Sequence, residues 1–209
     1  MIGSQRATGS PDLLEGLPVL GPEQTLISLG PELSFPDLTA VADRLISGTL
    51  KSAPTTTRER LLESFDQHSG VPYIRNVRRA VEAARSPVWS RPETLLRLLI
   101  ASAGLPEPRT NLEVAVTGDQ AIIDIAWPEQ MIAVEYDGHW HDRSPEQWAR
   151  DAARTEALID AGWLVVHVRA THLFREPHAL VARLVRRLAS RGFSLGRSID
   201  LTRMPRYVP

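Results

Sequence analysis

The chain has 209 residues, 43% hydrophobic and 23% charged, with 25 acidic against 24 basic side chains and a net charge of −1. That composition builds one sizeable core with room for a small second unit, and it excludes a disordered or collagen-like chain. No apolar run approaches the roughly 20 residues of a membrane helix. Zero cysteines exclude a disulfide framework, a zinc ribbon and a cysteine nucleophile. With no secretory signal pattern at the start, a cytoplasmic location is expected.

The basic residues are 23 Arg and the single Lys51, a bias that GC-rich coding alone produces. Their distribution is less neutral. Residues 90–168 hold 13 acidic side chains and 6 Arg, whereas residues 169–209 hold nine Arg against Glu176 and Asp200. An acidic segment followed by an Arg-rich one suits a metal or catalytic centre beside a polyanion-binding surface, or two segments that neutralise each other.

Residues 1–15 are polar and small at their start, and the spacing predicts a flexible arm. Residues 16–86 read as a helical unit. Leu38, Val41, Leu45 and Ile46 form one helical face that stops at Gly48. Thr56 and Glu59 suggest a capping box for a second helix carrying Leu61, Leu62 and Phe65. A third places Ile74, Val77, Val81 and Ala84 on one side and Arg75, Arg78, Arg79 and Arg85 at other angles, as a basic face.

The pattern changes after Ser86-Pro87. Ser90 and Glu93 have capping-box spacing at the head of an apolar-periodic helix that ends at Gly104. Three short strands follow, Leu112 to Val116, Ala121 to Ala126 and Met131 to Tyr136, punctuated by Thr117-Gly118-Asp119 and Trp127-Pro128-Glu129. This spacing predicts an antiparallel set. Ser144-Pro145 opens a helix that stops at Gly162. Trp163 to Val168 reads as a buried strand, parallel to its neighbour because a helix connects them. The last helix starts near Pro177, with Leu180, Val181, Leu184 and Leu188 inward and Arg183, Arg186, Arg187 and Arg191 on a solvated face. Residues 87–195 thus form an α/β domain of order αβββαβα, followed by a tail at 196–209.

One stretch is chemically unusual. Asp124 interrupts the second strand, and Glu135, Asp137, His139 and His141 cluster at the end of the third. An unpaired buried carboxylate is costly, so a partner is expected. Residues two apart share a strand face, so Glu135 and Asp137 project together, and an antiparallel neighbour can bring Asp124 beside them. A hard divalent cation removes the repulsion while leaving room for phosphate oxygens.

In these residues the chain resembles the restriction-endonuclease-like fold of the PD-(D/E)XK superfamily, whose core order is αβββαβ. The run Val134-Glu135-Tyr136-Asp137-Gly138-His139-Trp140-His141, with Asp151-x-x-Arg154 and Gly162-Trp163, is similar to the E-x-D-G-x-x-H, D-x-x-R, G-[WY] pattern of the group called domain of unknown function 559, relatives of the very-short-patch repair endonucleases. Ser90-x-x-Glu93 and Ile123-Asp124-Ile125 match further positions, so about 100 residues are covered. Upstream, residues 16–19 and 25–29 resemble the helical segment of actinobacterial members, which often carry an N-terminal winged helix. This chain begins where that module would end, which implies a shortened protein and a possible protein partner supplying DNA targeting.

The resemblance implies metal-dependent hydrolysis of phosphodiester bonds in DNA. Asp124 and Glu135 would hold Mg²⁺ or Mn²⁺, with Glu93 and Asp137 at the catalytic centre. The superfamily lysine is absent, its place being taken by Asp137, and His141 is expected to accept the proton from water. Trp140, Arg143, Arg154 and Arg169 are the expected nucleic-acid contacts. Plain structural readings stand beside these: a helix cap for Glu93, an intrahelical ion pair for Asp151 and Arg154, and packing for Trp140. His167 stands where the family commonly has Arg. Two other functions fit the same residues: a catalytically inactive nucleic-acid- or partner-binding module of a toxin–antitoxin or phage-defence system, and a zinc-dependent hydrolase using His139 and His141.

Overall fold

The computed structural model describes residues 12–14, 17–49, 51–68, 70–116, 119–138, 144–194, 204–205 and 207–209. The chain divides into two compact units, residues 1–91 and 92–209. Among the described residues, no helix is long and apolar enough to cross a membrane.

The first unit opens with an antiparallel pair, β1 (Asp12–Leu14) and β2 (Leu17–Val19), so residues 12–14 of the expected arm are paired in a strand. Four helices follow: α1 (Pro22–Leu29), α2 (Phe35–Ser47), α3 (Arg58–Asp66) and α4 (Ile74–Ala83). Local chemistry sets their ends. The Ser34 hydroxyl accepts the Asp37 amide at the head of α2, with Pro36 in the first turn. Gly48 ends the helix at a φ of 65° that a side chain rarely adopts. The α3 cap is Thr57, whose hydroxyl accepts the Arg60 amide. Thr56, the expected cap, instead donates to Glu23. Leu26, Leu38, Leu61, Phe65 and Val81 are almost fully buried in the core of this unit. The expected basic face of α4 is partly engaged within the same unit. Arg78 pairs with Asp66 at 2.6 Å, and the Arg79 guanidinium lies 5.3 Å from the Phe35 ring centroid.

The second unit runs α5 (Arg91–Ser102), β3 (Arg109–Val116), β4 (Asp119–Trp127), β5 (Ile132–Asp137), α6 (Pro145–Asp160), β6 (Leu164–Arg169) and α7 (Pro177–Ser190), with the first residue of α5 on the other side of the division. This is the expected αβββαβα order. The four strands form one sheet in sequence order, antiparallel from β3 to β5 and parallel between β5 and β6. A 3-10 turn at Pro128–Gln130 connects β4 to β5. α6 starts with a full capping box, in which Ser144 and Gln147 each satisfy the other's backbone amide.

Helices cover both faces of the sheet. Leu96 and Leu99 of α5 and Leu180 and Leu184 of α7 pack with Ile132 and Val134, while Leu158 of α6 joins Ala121, Ile123 and Ala133. Covering on both sides explains why consecutive residues Ile132, Ala133 and Val134 are all inaccessible to solvent. β6, expected to be buried, is the edge strand of the sheet. Val166 and Val168 are buried, whereas His167 and Arg169 are exposed. A π-type turn at Thr171–Arg175, which no sequence signal announced, leads into α7.

Candidate functional site

The acidic site forms where the sheet ladder is interrupted around one residue. β4 and β5 pair from Trp127–Ile132 to Ile125–Val134, and the next step of that register would set Asp124 opposite Glu135. On the other flank, β3 and β4 pair on both sides of the Asn111–Asp124 position but not at it, and Asn111 adopts a left-handed φ of 45°. β4 therefore loses regular pairing towards both neighbours at Asp124. The Asp124 side chain replaces part of the missing ladder, since its Oδ2 accepts the Tyr136 amide at 2.8 Å.

Glu135 is 3% exposed. Its Oε2 accepts from the Arg154 guanidinium at 2.7 Å, and the same arginine also donates to the Ile122 carbonyl at 3.1 Å. Arg154 thus reaches from α6 into the acidic site, and this contact accounts for its position more directly than an ion pair along its own helix. The other oxygen, Oε1, is buried and has no hydrogen-bond partner. Glu93, on α5, is also buried and accepts from Asn111 Nδ2 at 2.7 Å. Its carboxylate is close enough to influence Asp124.

These placements shift Asp124 and Glu135 in one direction. Burial, reinforced by the charges of Glu135 and Glu93, pushes the Asp124 carboxyl up to about 7, against the Tyr136 amide and Arg154. Burial likewise raises Glu135, with Asp137 adding to the effect and Arg154 and His167 opposing it. An acid raised in the folded state binds its proton more tightly there than in the unfolded chain. Stability from this group is therefore greatest in acid and is lost as pH rises from about 4 through about 7. Asp124→Asn, which keeps an oxygen for the Tyr136 amide, is expected to stabilise the metal-free protein by about 2–4 kcal/mol at pH 8 and by little at pH 4. Urea denaturation at the two pH values measures this. Equal effects at both would show that Asp124 ionises normally.

A second cluster borders the first. Parallel pairing places His167 beside Glu135 and Arg169 beside Asp137. His167 Nδ1 lies 3.2 Å from Asp137 Oδ1, a contact that raises the imidazole's proton affinity. Arg169 Nε is 4.0 Å from the other Asp137 oxygen, and the Arg169 amide donates to His172 Nδ1. Burial and the nearby Arg183 lower the His172 pKa.

Of the residues singled out from sequence, the structure brings together Glu93, Asp124, Glu135 and Arg154, with Asp137 and Arg169 alongside. His139, Trp140, His141 and Arg143 lie outside the described residues, as do the histidines of the zinc reading. In the sequence His167 stands out only as a departure from a family pattern. Its alignment with Glu135 follows once the apolar runs of β5 and β6 are set in parallel register. Asn111 gave no sequence signal.

Among the described residues, no group of three or more His, Asp or Glu side chains is arranged to hold a metal. The donor set among the described residues is smaller: two adjacent carboxylates, one with a buried unpartnered oxygen. It fits a hard cation that takes one or two carboxylates and completes its shell with water.

Residues 103–188 match the model of a restriction-endonuclease-like family, REase_MTES_1575. With the mixed sheet and flanking helices described above, the second unit is a restriction-endonuclease-like α/β domain. Two proteins of Mycobacterium tuberculosis, "Uncharacterized protein MT2308" of strain CDC 1551 and "Uncharacterized protein Rv2248" of strain H37Rv, are each 34% identical to the chain over 98 residues. The similarity covers 46% of this chain and 36% of each relative, so the chain spans about a third of their length. No solved structure matches it.

Proposed function

We propose that the second unit is a divalent-cation-dependent endonuclease acting on DNA, of the kind found among very-short-patch repair endonucleases and the domain of unknown function 559, and that it works in the cytoplasm. The observation that carries this reading is the buried, unpartnered Oε1 of Glu135 beside Asp124, an arrangement that is unfavourable without a cation. Asp124 and Glu135 would hold Mg²⁺ or Mn²⁺. When bound, the cation polarises a phosphoryl oxygen and lowers the pKa of a coordinated water.

The protein's own groups have separable tasks. Arg154 fixes Glu135 through Oε2 and thereby leaves Oε1 available. Asn111 holds Glu93 against Asp124 from the α5 side. The imidazole beside Glu135 is His167, oriented through Nδ1 by Asp137, so its Nε2 is the nitrogen left to orient or deprotonate water. In this reading His167 shares the role of the absent lysine with His141.

One observation favours a second reading, a nuclease-like module that binds nucleic acid or a partner without turnover. The Arg154–Glu135 ion pair neutralises a carboxylate that a cation would need. The discriminating experiment incubates purified protein with supercoiled plasmid and with single-stranded DNA, in Mg²⁺, Mn²⁺ or EDTA, alongside Asp124→Asn. Nicking that requires the cation and disappears in the variant is expected. Binding without nicking in any metal would favour the second reading. Nicking that survives the substitution would reject the site.

A further inference from the structure

The carboxylates of the site create an electrostatic problem for the substrate proposed above. Glu93, Asp124, Glu135 and Asp137 concentrate negative charge at the site, and Arg154 is already committed to Glu135 and the Ile122 carbonyl. A polyanion can settle there only if positive charge lies nearby.

That charge is on α7. Arg183 lies three and four residues from Arg186 and Arg187, so its side chain neighbours both, and burial first, then the charges of Arg187 and Arg186, make it harder for Arg183 to carry its charge. Among the described residues, none of the three has a carboxylate within salt-bridge distance. Arg186 and Arg187 are exposed. Arg183 is half-buried, donates from one terminal nitrogen to the His167 carbonyl at 2.9 Å, and keeps Nε buried without a partner. His167 is the residue paired with Glu135. The hydrogen bond therefore ties this mutually repelling arginine cluster to the strand next to the carboxylates. A merely solvated face, which the sequence suggested, does not account for a half-buried guanidinium bonded to the His167 carbonyl, with Nε buried and unpartnered, one helical turn from two like charges.

We propose that Arg183, Arg186 and Arg187 form a binding surface for the phosphodiester backbone of a nucleic-acid strand, beside the carboxylate pair and distinct from it. The guanidinium fork suits phosphate oxygens, and three of them relieve their repulsion on one polyanion. This surface positions the strand and takes no part in bond cleavage. It rests on the nuclease reading for the identity of the polyanion, not for its own geometry.

The test measures binding of a fluorescent DNA duplex by anisotropy in EDTA, from 50 to 200 mM salt, for the unaltered protein, R186Q/R187Q, R183Q and a control, R60Q/R75Q, that removes the same charge from the first unit. For R186Q/R187Q, the slope of log affinity against log salt is expected to fall in magnitude by about 1–2, with affinity at 100 mM salt reduced about tenfold. R183Q should weaken binding in the same direction, and the exposed pair keeps the test valid if R183Q unfolds. An unchanged slope in R186Q/R187Q overturns the proposal even if the unaltered protein cleaves DNA. An equal change in R60Q/R75Q also overturns it, because the effect would be one of net charge. If the unaltered protein binds DNA but cleaves it in no metal, the nuclease reading fails while a reduced slope still supports this surface.

Discussion

Glu135→Gln is expected to lower divalent-cation-dependent cleavage by at least about a thousandfold, corresponding to roughly 4 kcal/mol of lost transition-state stabilisation, while DNA binding in EDTA is retained or strengthened. The substitution is nearly isosteric, and its amide oxygen can still accept from Arg154, so the local packing has little reason to change. What it removes is the charge on a carboxylate that, alone among the described site residues, pairs an arginine-bonded oxygen with a buried unpartnered one. Losing that charge weakens the hold on a hard cation, which prefers anionic oxygen, and removes a repulsion between protein and phosphate. Single-turnover cleavage and anisotropy, performed on the same preparation, read the two consequences separately. Cleavage within tenfold of the unaltered protein would place the reacting centre elsewhere.

Arg154→Ala is expected to destabilise the metal-free protein by about 2–3 kcal/mol at pH 8. Glu135 would be left buried with no cationic partner, which in a fully buried pair costs more. The Arg154 side chain is 39% exposed, so water entering its place offsets part of that loss. The direction with pH is fixed by the same argument. Losing Arg154 raises Glu135 further above the usual carboxylate range, so the penalty should shrink as pH falls and Glu135 takes up a proton. Combining Arg154→Ala with Glu135→Gln should restore most of the lost stability, since no buried charge then lacks a partner. Chemical denaturation of the two single variants and the double variant gives the coupling directly. Additive losses would show that Arg154 acts through its contact with the Ile122 carbonyl or through packing, and not through Glu135.

These two outcomes separate chemistry from architecture at one side chain. Glu135 is both a candidate cation ligand and a buried charge that the fold must tolerate. Arg154 makes the second condition possible by occupying one oxygen, and the open oxygen meets the first. Asp124, displaced to about 7 by burial and then by the charges of Glu135 and Glu93, has no such guanidinium bonded to its own oxygens.

Local signals in the chain were sufficient for the order of elements in the second unit. Apolar periodicity switches between helix and strand in the right places, Ser144-Pro145 starts α6, and Gly162 at a φ of 90° ends it. The carboxylates were conspicuous because they interrupt apolar strands, which water-facing chemistry alone does not explain. The β1–β2 pair was not legible, because its three-residue strands carry too short a pattern for periodicity to register. The Thr57 cap is not legible for another reason: adjacent threonines offer the same hydroxyl, and only the path of the chain decides which one meets the first free amide.

Sequence alone determined which residue types stand at the strand ends, that they carry excess negative charge, and that an arginine-rich segment follows. The tertiary structure decided their partners. Register placed His167 beside Glu135, the left-handed Asn111 turned its amide to Glu93, and α6 delivered Arg154 to Glu135 across nineteen positions of chain. Such contacts depend on how strands align and helices pack, and no local propensity encodes them, because each joins groups that only the folded core brings within hydrogen-bond distance.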